Sequence, residues 1–169
     1  MENVNSISTS SLKRAASKLR KYMIFSVGGE RYAVPLSHVK EVIGLTKITP
    51  VPNKPSYFKG LVNLRGQIVA AFDLKARLKI AVKANAEIPL RRPCMIITEQ
   101  ENSFYGAIVD DVTEVISLDE ESFDRTLEID SKENDGVVGV AKTPDNKLTL
   151  VLDIKTILNV PHLHPSNEK

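Results

Sequence analysis

The chain of 169 residues is long enough for one domain with an ample core or for two small domains. It has one cysteine, no tryptophan and an ordinary apolar content, which excludes a disulfide framework and favours a globular protein. No apolar run approaches the roughly 20 residues of a membrane-spanning helix, and the N-terminus lacks the apolar core of a signal peptide, so we expect a cytoplasmic protein.

The net charge of +2 conceals a strong segregation of charge along the chain. Residues 1–21 carry a net charge of +4, residues 22–92 carry +8, and residues 93–169 carry −10. An acidic half repels phosphate, which disfavours nucleic-acid binding by the chain as a whole. The split suits head-to-tail association with similar modules, and the simpler interpretation is that the charges only solvate two surfaces.

Residues 1–21 predict a basic, flexible or weakly docked N-terminal tail. The segment is polar and Ser-rich at first, and its later apolar residues have helical spacing. A helix of about ten residues is marginal unless it docks against something. Residues 161–169 predict a flexible C-terminal tail, whose two histidines lack the third ligand that a metal site requires.

From Tyr22 onward the pattern is that of β-strands. Residues 22–27 and 30–36 flank Gly28-Gly29, which predicts a hairpin. Three prolines between Thr49 and Pro55 exclude regular structure, so this segment should be an ordered loop. Residues 94–98 and 104–109 flank a polar turn and predict another hairpin, in which Cys94 should be buried.

The stretch from Gly60 to Leu78 predicts strand, tight turn, strand and a short helix. Gly66 supplies the positive φ that a tight turn needs, and Asp73 can cap the helix. Arg65 lies at the tip of the turn. It is either a solvated surface charge or a recognition residue.

The chain repeats itself in the same order of blocks. Residues 32–45 align with residues 105–118 with six identities in fourteen positions, and residues 68–78 align with residues 148–158. This self-similarity predicts an internal duplication. Each half offers about five short strands and a terminal helical turn, so we expect an all-β protein of two packed five-stranded barrels. The first barrel should span residues 22–92 and the second residues 93–160.

No catalytic residue, cofactor or metal site is predicted. The sequence contains no phosphate-binding loop, dinucleotide fingerprint or nucleophile elbow. Asp110-Asp111 is explained more simply as a turn-forming pair, and His38 as a corner residue. We therefore expect no enzymatic activity.

Several segments carry a family resemblance that covers residues 22–158. These are Phe25-Ser-Val-Gly-Gly-Glu-Arg-Tyr-Ala-Val-Pro-Leu36, Val39-Lys-Glu-Val-Ile43, the Pro-rich loop, and Tyr57-Phe-Lys-Gly-Leu-Val-Asn-Leu-Arg-Gly-Gln-Ile-Val69 with Phe72-Asp-Leu74. They resemble the CheW-type chemotaxis coupling proteins. The resemblance implies SH3-like barrels and a non-enzymatic scaffold that couples the cytoplasmic tip of a chemoreceptor to a CheA-type histidine kinase. It further implies ring-like arrays, with the protein reaching the inner membrane only through receptors.

The resemblance also implies a receptor-binding surface. Val39, Glu41, Gly60 and Arg65 match the positions at which the family builds that surface. Val39 and Val62 are the candidates for its apolar wall, and Arg65 could reach a receptor carboxylate or Glu41. The alternative function is a barrel that binds a small ligand or nucleic acid. Nucleic acid is disfavoured because most aromatics of the basic half alternate into expected cores.

Overall fold

The structure, a computed structural model, describes residues 18–81, 91–125 and 136–160. Within these ranges the chain forms ten β-strands and two short α-helices. The strands are β1 Leu19–Val27, β2 Glu30–Pro35, β3 Glu41–Gly44, β4 Phe58–Leu64, β5 Gln67–Asp73, β6 Cys94–Gln100, β7 Ser103–Val109, β8 Asp111–Asp119, β9 Val137–Lys142 and β10 Leu148–Leu152. The helices are α1 Leu74–Arg77 and α2 Ile154–Leu158, and 3₁₀ turns occupy Leu36–His38 and Glu120–Ser122. Helix is as scarce in these ranges as expected.

The turns and caps form where the sequence predicts them. Gly28 and Gly29 have φ of 61° and 86°, the left-handed conformation that joins β1 to β2 without a Cβ penalty. Asp73 accepts hydrogen bonds from the backbone N–H groups of Lys75 and Ala76, and Asp153 caps α2 in the same way. These side chains satisfy N–H groups that a helix start leaves without partners.

The ten strands form two five-stranded sheets. Sheet A has the order β8-β1-β2-β10-β9, and sheet B has the order β3-β6-β7-β5-β4. The outer strands of each sheet are consecutive in the chain, and the segment that follows the first of them bridges the second, through Asp124 with Val140 in sheet A and Thr49 with Leu61 in sheet B. This bridge closes each sheet, and we call the two units barrel A and barrel B. The all-β, two-barrel fold class is confirmed.

The predicted division of the chain at residues 92 and 93 is wrong for the strands. Each barrel takes a hairpin from one half of the sequence and three strands from the other half. Thus β1 and β2 pair with β8 and β10, while β6 and β7 pair with β3 and β5. The physical reason is that equivalent strands from either repeat satisfy the same backbone hydrogen bonds, so a duplicated chain can exchange them.

The pairing registers confirm the duplication. Tyr32 lies opposite Leu150 in the parallel pair of sheet A, and its repeat equivalent Tyr105 lies opposite Ala70 in sheet B. In the antiparallel pairs, Glu41 faces Ile97 and Glu114 faces Ile24. The expected matches hold throughout the two barrels. Val34 with Ala107, Phe72 with Leu152 and Leu74 with Ile154 are buried pairs, and Val42 with Val115 is an exposed pair.

Three apolar clusters explain the nearly continuous apolar strands. In β1, alternate residues such as Tyr22 and Ile24 fill barrel A, while Met23 and Phe25 enter a core shared by the two sheets. Strand β5 behaves in the same way, with Val69 directed into barrel B. Strands that are buried on both faces lose the apolar–polar alternation of a surface sheet. The shared core also receives both helices, and it packs the barrels side by side.

The structure describes only the end of the expected N-terminal tail and none of the expected C-terminal tail. Strand β1 begins at Leu19, so the last three residues assigned to the N-terminal tail belong to the sheet. Its register pairs Leu19 with Asp119 on β8. Residues 1–17 and 161–169 lie outside the described residues. In the described ranges no helix has the length and apolar character needed to cross a membrane.

Candidate interaction surface

The β4–β5 turn presents Arg65 at one end of barrel B. Arg65 and Gly66 both have positive φ, 51° and 84°, as the two central residues of a tight hairpin turn require. The N–H of Gly66 donates to Oδ1 of Asn63 at 2.9 Å. The turn sequence therefore fixes the direction from which Arg65 leaves the sheet.

Arg65 forms an ion pair with Glu41 of β3. Its Nη2 donates to Oε1 of Glu41 at 2.6 Å, and the side chains are 70% and 28% exposed respectively. The pair connects the outer strand β3 to the β4–β5 turn. An exposed pair of this kind contributes only about 0–1 kcal/mol to folding. The sequence anticipated this contact as one of two partners for Arg65.

Gly60 lies buried on β4, close to the loop that carries Thr49. The residue is buried with a φ of 139°, and a Cβ there would lie 2.1 Å from the carbonyl oxygen of Thr49. Thr49 and Leu61 exchange backbone hydrogen bonds of 2.8 and 2.9 Å beside it. Gly60 thus lets the Pro-rich loop approach β4 closely. The predicted place of Gly60 in a receptor-binding surface stays a prediction; the burial shows only that its close approach is to the backbone of Thr49.

Val62 is misassigned as a wall of a binding groove. It is fully buried inside barrel B, where it packs with Val69, Ala71 and Met95. Its neighbours Leu61 and Asn63 point to the other face of β4, as successive strand residues must. A receptor could reach this side chain only by opening the barrel.

The position of Val39 is consistent with the predicted apolar groove. It is half-buried against the shared core at the crossing between β2 and β3, two residues before Glu41. Other partly buried side chains border the same core: Leu36, Tyr57, Phe58 and Leu61. Of the five predicted residues, the structure therefore leaves Glu41 and Arg65 accessible on barrel B and Val39 partly accessible beside the seam.

Exposed apolar side chains on barrel B, Val42 and Ile68 among them, were missed by the sequence reasoning. Val42 follows Glu41 on β3, and Ile68 lies two residues after the Arg65 turn, with 37% and 48% exposure. Lys40 also contacts the face of Phe104 at 4.6 Å and pairs with Glu99 at 2.6 Å. The alternation of the strands could have identified these outward positions, because each flanks a residue that points inward.

Barrel A carries the equivalent surface with a different charge. Glu114 is the repeat equivalent of Glu41, and Asp145 occupies the β9–β10 turn where barrel B has Arg65. Arg31 of β2 bridges these carboxylates, at 2.9 Å from Glu114 and 2.7 Å from Asp145. Val115 and Leu148 are the exposed apolar residues on this side.

The side chain of Asp145 is held in its ionised form. The hydroxyl of Thr143 donates to it, and together with Arg31 this holds the pKa of Asp145 well below its ordinary value. The β9–β10 turn therefore remains acidic. Comparison of the two repeats could have directed attention to the β9–β10 turn, because the second copy lacks the Asn-Leu-Arg-Gly sequence of the first.

The strand exchange weakens the charge contrast that the sequence suggested. The described residues of barrel A, 18–35, 111–125 and 136–160, contain eight Lys/Arg and nine Asp/Glu. Those of barrel B, 41–81 and 91–109, contain nine Lys/Arg and four Asp/Glu. Barrel B remains basic, whereas barrel A is close to neutral in the parts described.

The candidate chemical groups have structural partners. Asp110 accepts from the N–H of Gly28 at 2.7 Å and lies 3.2 Å from Arg91, so it joins the β1–β2 turn to the β7–β8 corner. Cys94 is buried, and burial raises the pKa of its thiol. Among the described residues no group of three or more His, Cys, Asp or Glu side chains is placed to hold a metal ion.

The two barrels, with exposed apolar and charged side chains at equivalent ends, define a small β protein of the protein-interaction class. Comparison with known proteins makes the assignment specific. The family model described as CheW-like domain matches residues 21–162, and the chain belongs to this family.

Individual relatives agree with the family match. The chain is 29% identical to the chemotaxis protein CheW of Rhizobium meliloti over 73% of this chain and 77% of that protein. It is 29% identical to the chemotaxis protein CheW of Helicobacter pylori over 82% and 81% of the respective lengths. The crystal structure of the scaffolding protein TtCheW from Thermoanaerobacter tengcongensis matches with a TM-score of 0.72 and 31% identity, covering 85% of this chain and 90% of that one.

Proposed function

We propose that this protein, a chemotaxis coupling scaffold of the CheW-like family, joins the cytoplasmic tips of chemoreceptors to a CheA-type histidine kinase. The observation that carries the proposal is the family match over residues 21–162. The protein acts as an adaptor without catalytic activity. It works in the cytoplasm and reaches receptor arrays at the inner membrane through its partners.

The receptor-binding surface lies on barrel B and at the adjoining seam. Arg65 and Glu41 supply the charged groups, and Val39 supplies apolar contact beside the shared core. A helix bound in a groove needs such an apolar wall with a few placed polar groups. Gly60 and Val62 act indirectly, by fixing the β4 strand and the loop that carry the surface.

Kinase binding and ring-like assembly use the ends of both barrels. Barrel B offers an excess of Lys and Arg, and barrel A offers the acidic turn of Asp145. Each end also exposes apolar side chains, Ile68 on barrel B and Leu148 on barrel A. Opposite charges on two faces favour heterologous contacts, which close into rings when the rotation permits.

Reconstitution tests the coupling role directly. Purified kinase and a membrane-embedded receptor are mixed with and without this protein, and kinase phosphorylation is measured with and without attractant. The proposal expects receptor control of the kinase only when the protein is present. Binding to the receptor fragment and to the regulatory domain of the kinase is also measured separately. If the protein bound neither of them, the proposal would be overturned.

A further inference from the structure

The described part of the chain begins at Lys18, beside an acidic 3₁₀ turn of barrel A. Nζ of Lys18 lies 2.7 Å from Oε2 of Glu121, and Nε of Arg20 lies 3.5 Å from Oε1 of Glu120. These contacts hold the start of β1 against the turn. They therefore fix the point from which the N-terminal segment, residues 1–17, leaves the barrel.

A pocket of about 190 Å³ opens beside the same turn. Glu120 lines it and accepts the hydroxyl hydrogen of Tyr22 at 2.7 Å. Apolar side chains form a wall of the pocket, among them Phe123, Val138 and Val151. A cavity of about 150 Å³ can hold the six carbons of benzene, so this pocket has room for the four carbons of a leucine side chain.

The N-terminal segment carries an apolar stripe with the spacing of one helix face. Leu12, Ala15 and Ala16 stand at i, i+3 and i+4, and Leu19 completes the stripe at i+7. Leu19 is 52% exposed at the start of β1, so the stripe ends on an accessible part of barrel A. A helix of this length is marginal by itself, and docking of its apolar side would stabilise it.

Leu12 can reach the pocket from the place where the segment leaves the barrel. It lies six residues before Lys18, a span of about 9 Å in a helix and at most about 20 Å in an extended chain. Lys18 contacts Glu121, and the preceding residue Glu120 lines the pocket. The short connection also gives the segment a high effective concentration at the pocket.

Charge distinguishes this pocket from a larger one nearby. The segment carries two adjacent basic residues directly after its leucine. The larger pocket, of about 470 Å³, is lined by Arg20 and Lys21, which repel a basic segment. Among the described residues that line the smaller pocket, Glu120 and Asp153 outnumber the single arginine, Arg125. The smaller pocket is therefore the better match.

We propose that the N-terminal segment folds back on barrel A as a short helix and inserts Leu12 into the smaller pocket, against Phe123 and Val138. Removal of the leucine side chain from water supplies most of the stabilisation. Lys13 and Arg14 add attraction to the acidic turn. A partner that binds this end of barrel A must first displace the segment.

Paramagnetic NMR on the full chain tests the docking. A nitroxide on Ser11→Cys, with the native thiol removed by Cys94→Ala, should strongly broaden the amide signals of Phe123 and Val138. Leu12→Asp should reduce the docked population by about tenfold or more, because the burial of leucine is lost, and the broadening should fall with it. Absence of broadening, or broadening that Leu12→Asp leaves unchanged, would overturn the proposal.

Two variants within the segment sharpen the test. Ile7→Asp makes the same kind of change outside the apolar stripe and should leave the broadening unchanged. A loss equal to that of Leu12→Asp would contradict the role of the stripe. Lys13→Glu with Arg14→Glu should lower the ratio of docked to free segment by about fivefold, because the acidic turn then repels it. An unchanged ratio would contradict the charge match on which the choice of pocket rests.

A mixing experiment identifies the molecule that supplies the segment. Spin-labelled protein without isotope is mixed with isotope-labelled protein that carries no nitroxide. The proposal expects little broadening in the mixture, because each chain fills its own pocket. Broadening as strong as that within one molecule would assign the pocket to the segment of a second copy and overturn the proposal.

Discussion

Barrels A and B share strand order, pairing register and helix caps. They differ at one hairpin turn, which is β4–β5 in barrel B and β9–β10 in barrel A. Barrel B places Arg65 there and pairs it with Glu41. Barrel A places Asp145 there and needs Arg31, from a different strand, to balance Asp145 and Glu114. The duplicated scaffold therefore conserves backbone geometry between its halves while the surface side chains diverge. We therefore expect the surface side chains, and not the shared backbone scaffold, to determine what each barrel binds.

The largest effect is expected from reversing the charge of Arg65. Arg65→Glu sets a second carboxylate beside Glu41, and loss of a partly desolvated charge pair at an interface costs on the order of 2–5 kcal/mol. Receptor affinity should therefore fall by roughly 30-fold or more. The melting temperature should change little, because an exposed ion pair contributes about 0–1 kcal/mol to folding. Calorimetric titration with a receptor fragment, together with thermal unfolding, measures both quantities.

Barrel A supplies the matched control for this experiment. Asp145→Arg reverses the charge of the equivalent turn and should leave receptor affinity unchanged. A normally folded Arg65→Glu protein that binds receptor with full affinity would contradict the assigned role. If it loses only the kinase, Arg65 belongs to the kinase interface.

A charge swap distinguishes direct contact from positioning. In the double variant Glu41→Arg with Arg65→Glu, the ion pair can form again in the opposite sense. If Arg65 itself contacts the receptor, affinity should remain as low as in the single variant. If Arg65 acts only by holding the turn in place through its ion pair, the swap should recover most of the loss.

The second prediction compares two glycines that share a positive φ but differ in their surroundings. Gly60→Ala forces a Cβ toward the carbonyl oxygen of Thr49 at a positive φ, and strain with overpacking should destabilise the protein by about 3 kcal/mol. Gly29→Ala shares the positive φ but meets no atom within 4 Å, so it should cost only about 1 kcal/mol. Urea unfolding measures these differences. A Gly60→Ala protein as stable as Gly29→Ala would show that Thr49 moves aside freely.

Gly139 extends the comparison to the other barrel. It is the repeat equivalent of Gly60, and its Cβ would lie 2.9 Å from the carbonyl oxygen of Asp124, a less severe approach than at Gly60. Gly139→Ala should therefore fall between the other two variants in stability. A larger loss than at Gly60 would contradict the steric explanation.

Local features of the fold could be predicted from the sequence, whereas the strand exchange could not. Hairpin turns and helix caps depend on a few neighbouring residues, such as Gly28, Gly66 and Asp73, whose conformational preferences are readable directly. A repeat identifies which strands are equivalent but not which copy each strand pairs with. Both arrangements bury the same faces, so apolar pattern alone does not choose between them.

The candidate site was predictable to a similar degree. Arg65 and Glu41 are charged residues that strands keep at their surface, and their contact was anticipated. Val62 was misassigned as a groove wall, because its place beside exposed positions of the hairpin does not show which face of β4 its side chain occupies. The alternation of Leu61, Val62 and Asn63 along β4 would have directed Val62 inward.

The third prediction concerns the opposite charges of the two turns. If the Arg65 end of barrel B meets the acidic end of barrel A in a neighbouring module, raising salt from 0.1 M to 1 M shortens the Debye length from about 10 Å to about 3 Å. Association with the kinase regulatory domain or with a second copy should weaken by roughly tenfold over this range. Analytical ultracentrifugation and calorimetry can follow it. An affinity that does not depend on salt would leave apolar residues such as Ile68 and Leu148 as the main contacts.

The smallest effect is expected within barrel A itself, at Asp145. The hydrogen bond from Thr143 and the neighbouring Arg31 hold the folded pKa of Asp145 below its unfolded value, which is about 3.9. The ionised carboxylate therefore contributes stability that is fully present above that unfolded value and is lost as pH falls toward the folded pKa. Asp145→Asn should lower the melting temperature near pH 6, and the difference from the unmodified protein should shrink as the pH is lowered through 3.9 and below.

Lys147→Gln, which removes an exposed charge 3.6 Å from the same carboxylate, serves as the control and should produce a smaller difference at every pH. A difference for Asp145→Asn that stays constant from pH 6 to pH 2 would show that the ionised form gains nothing from Thr143 and Arg31. In that case the arginine bridge of barrel A would contribute no more to folding than the exposed ion pair at Arg65.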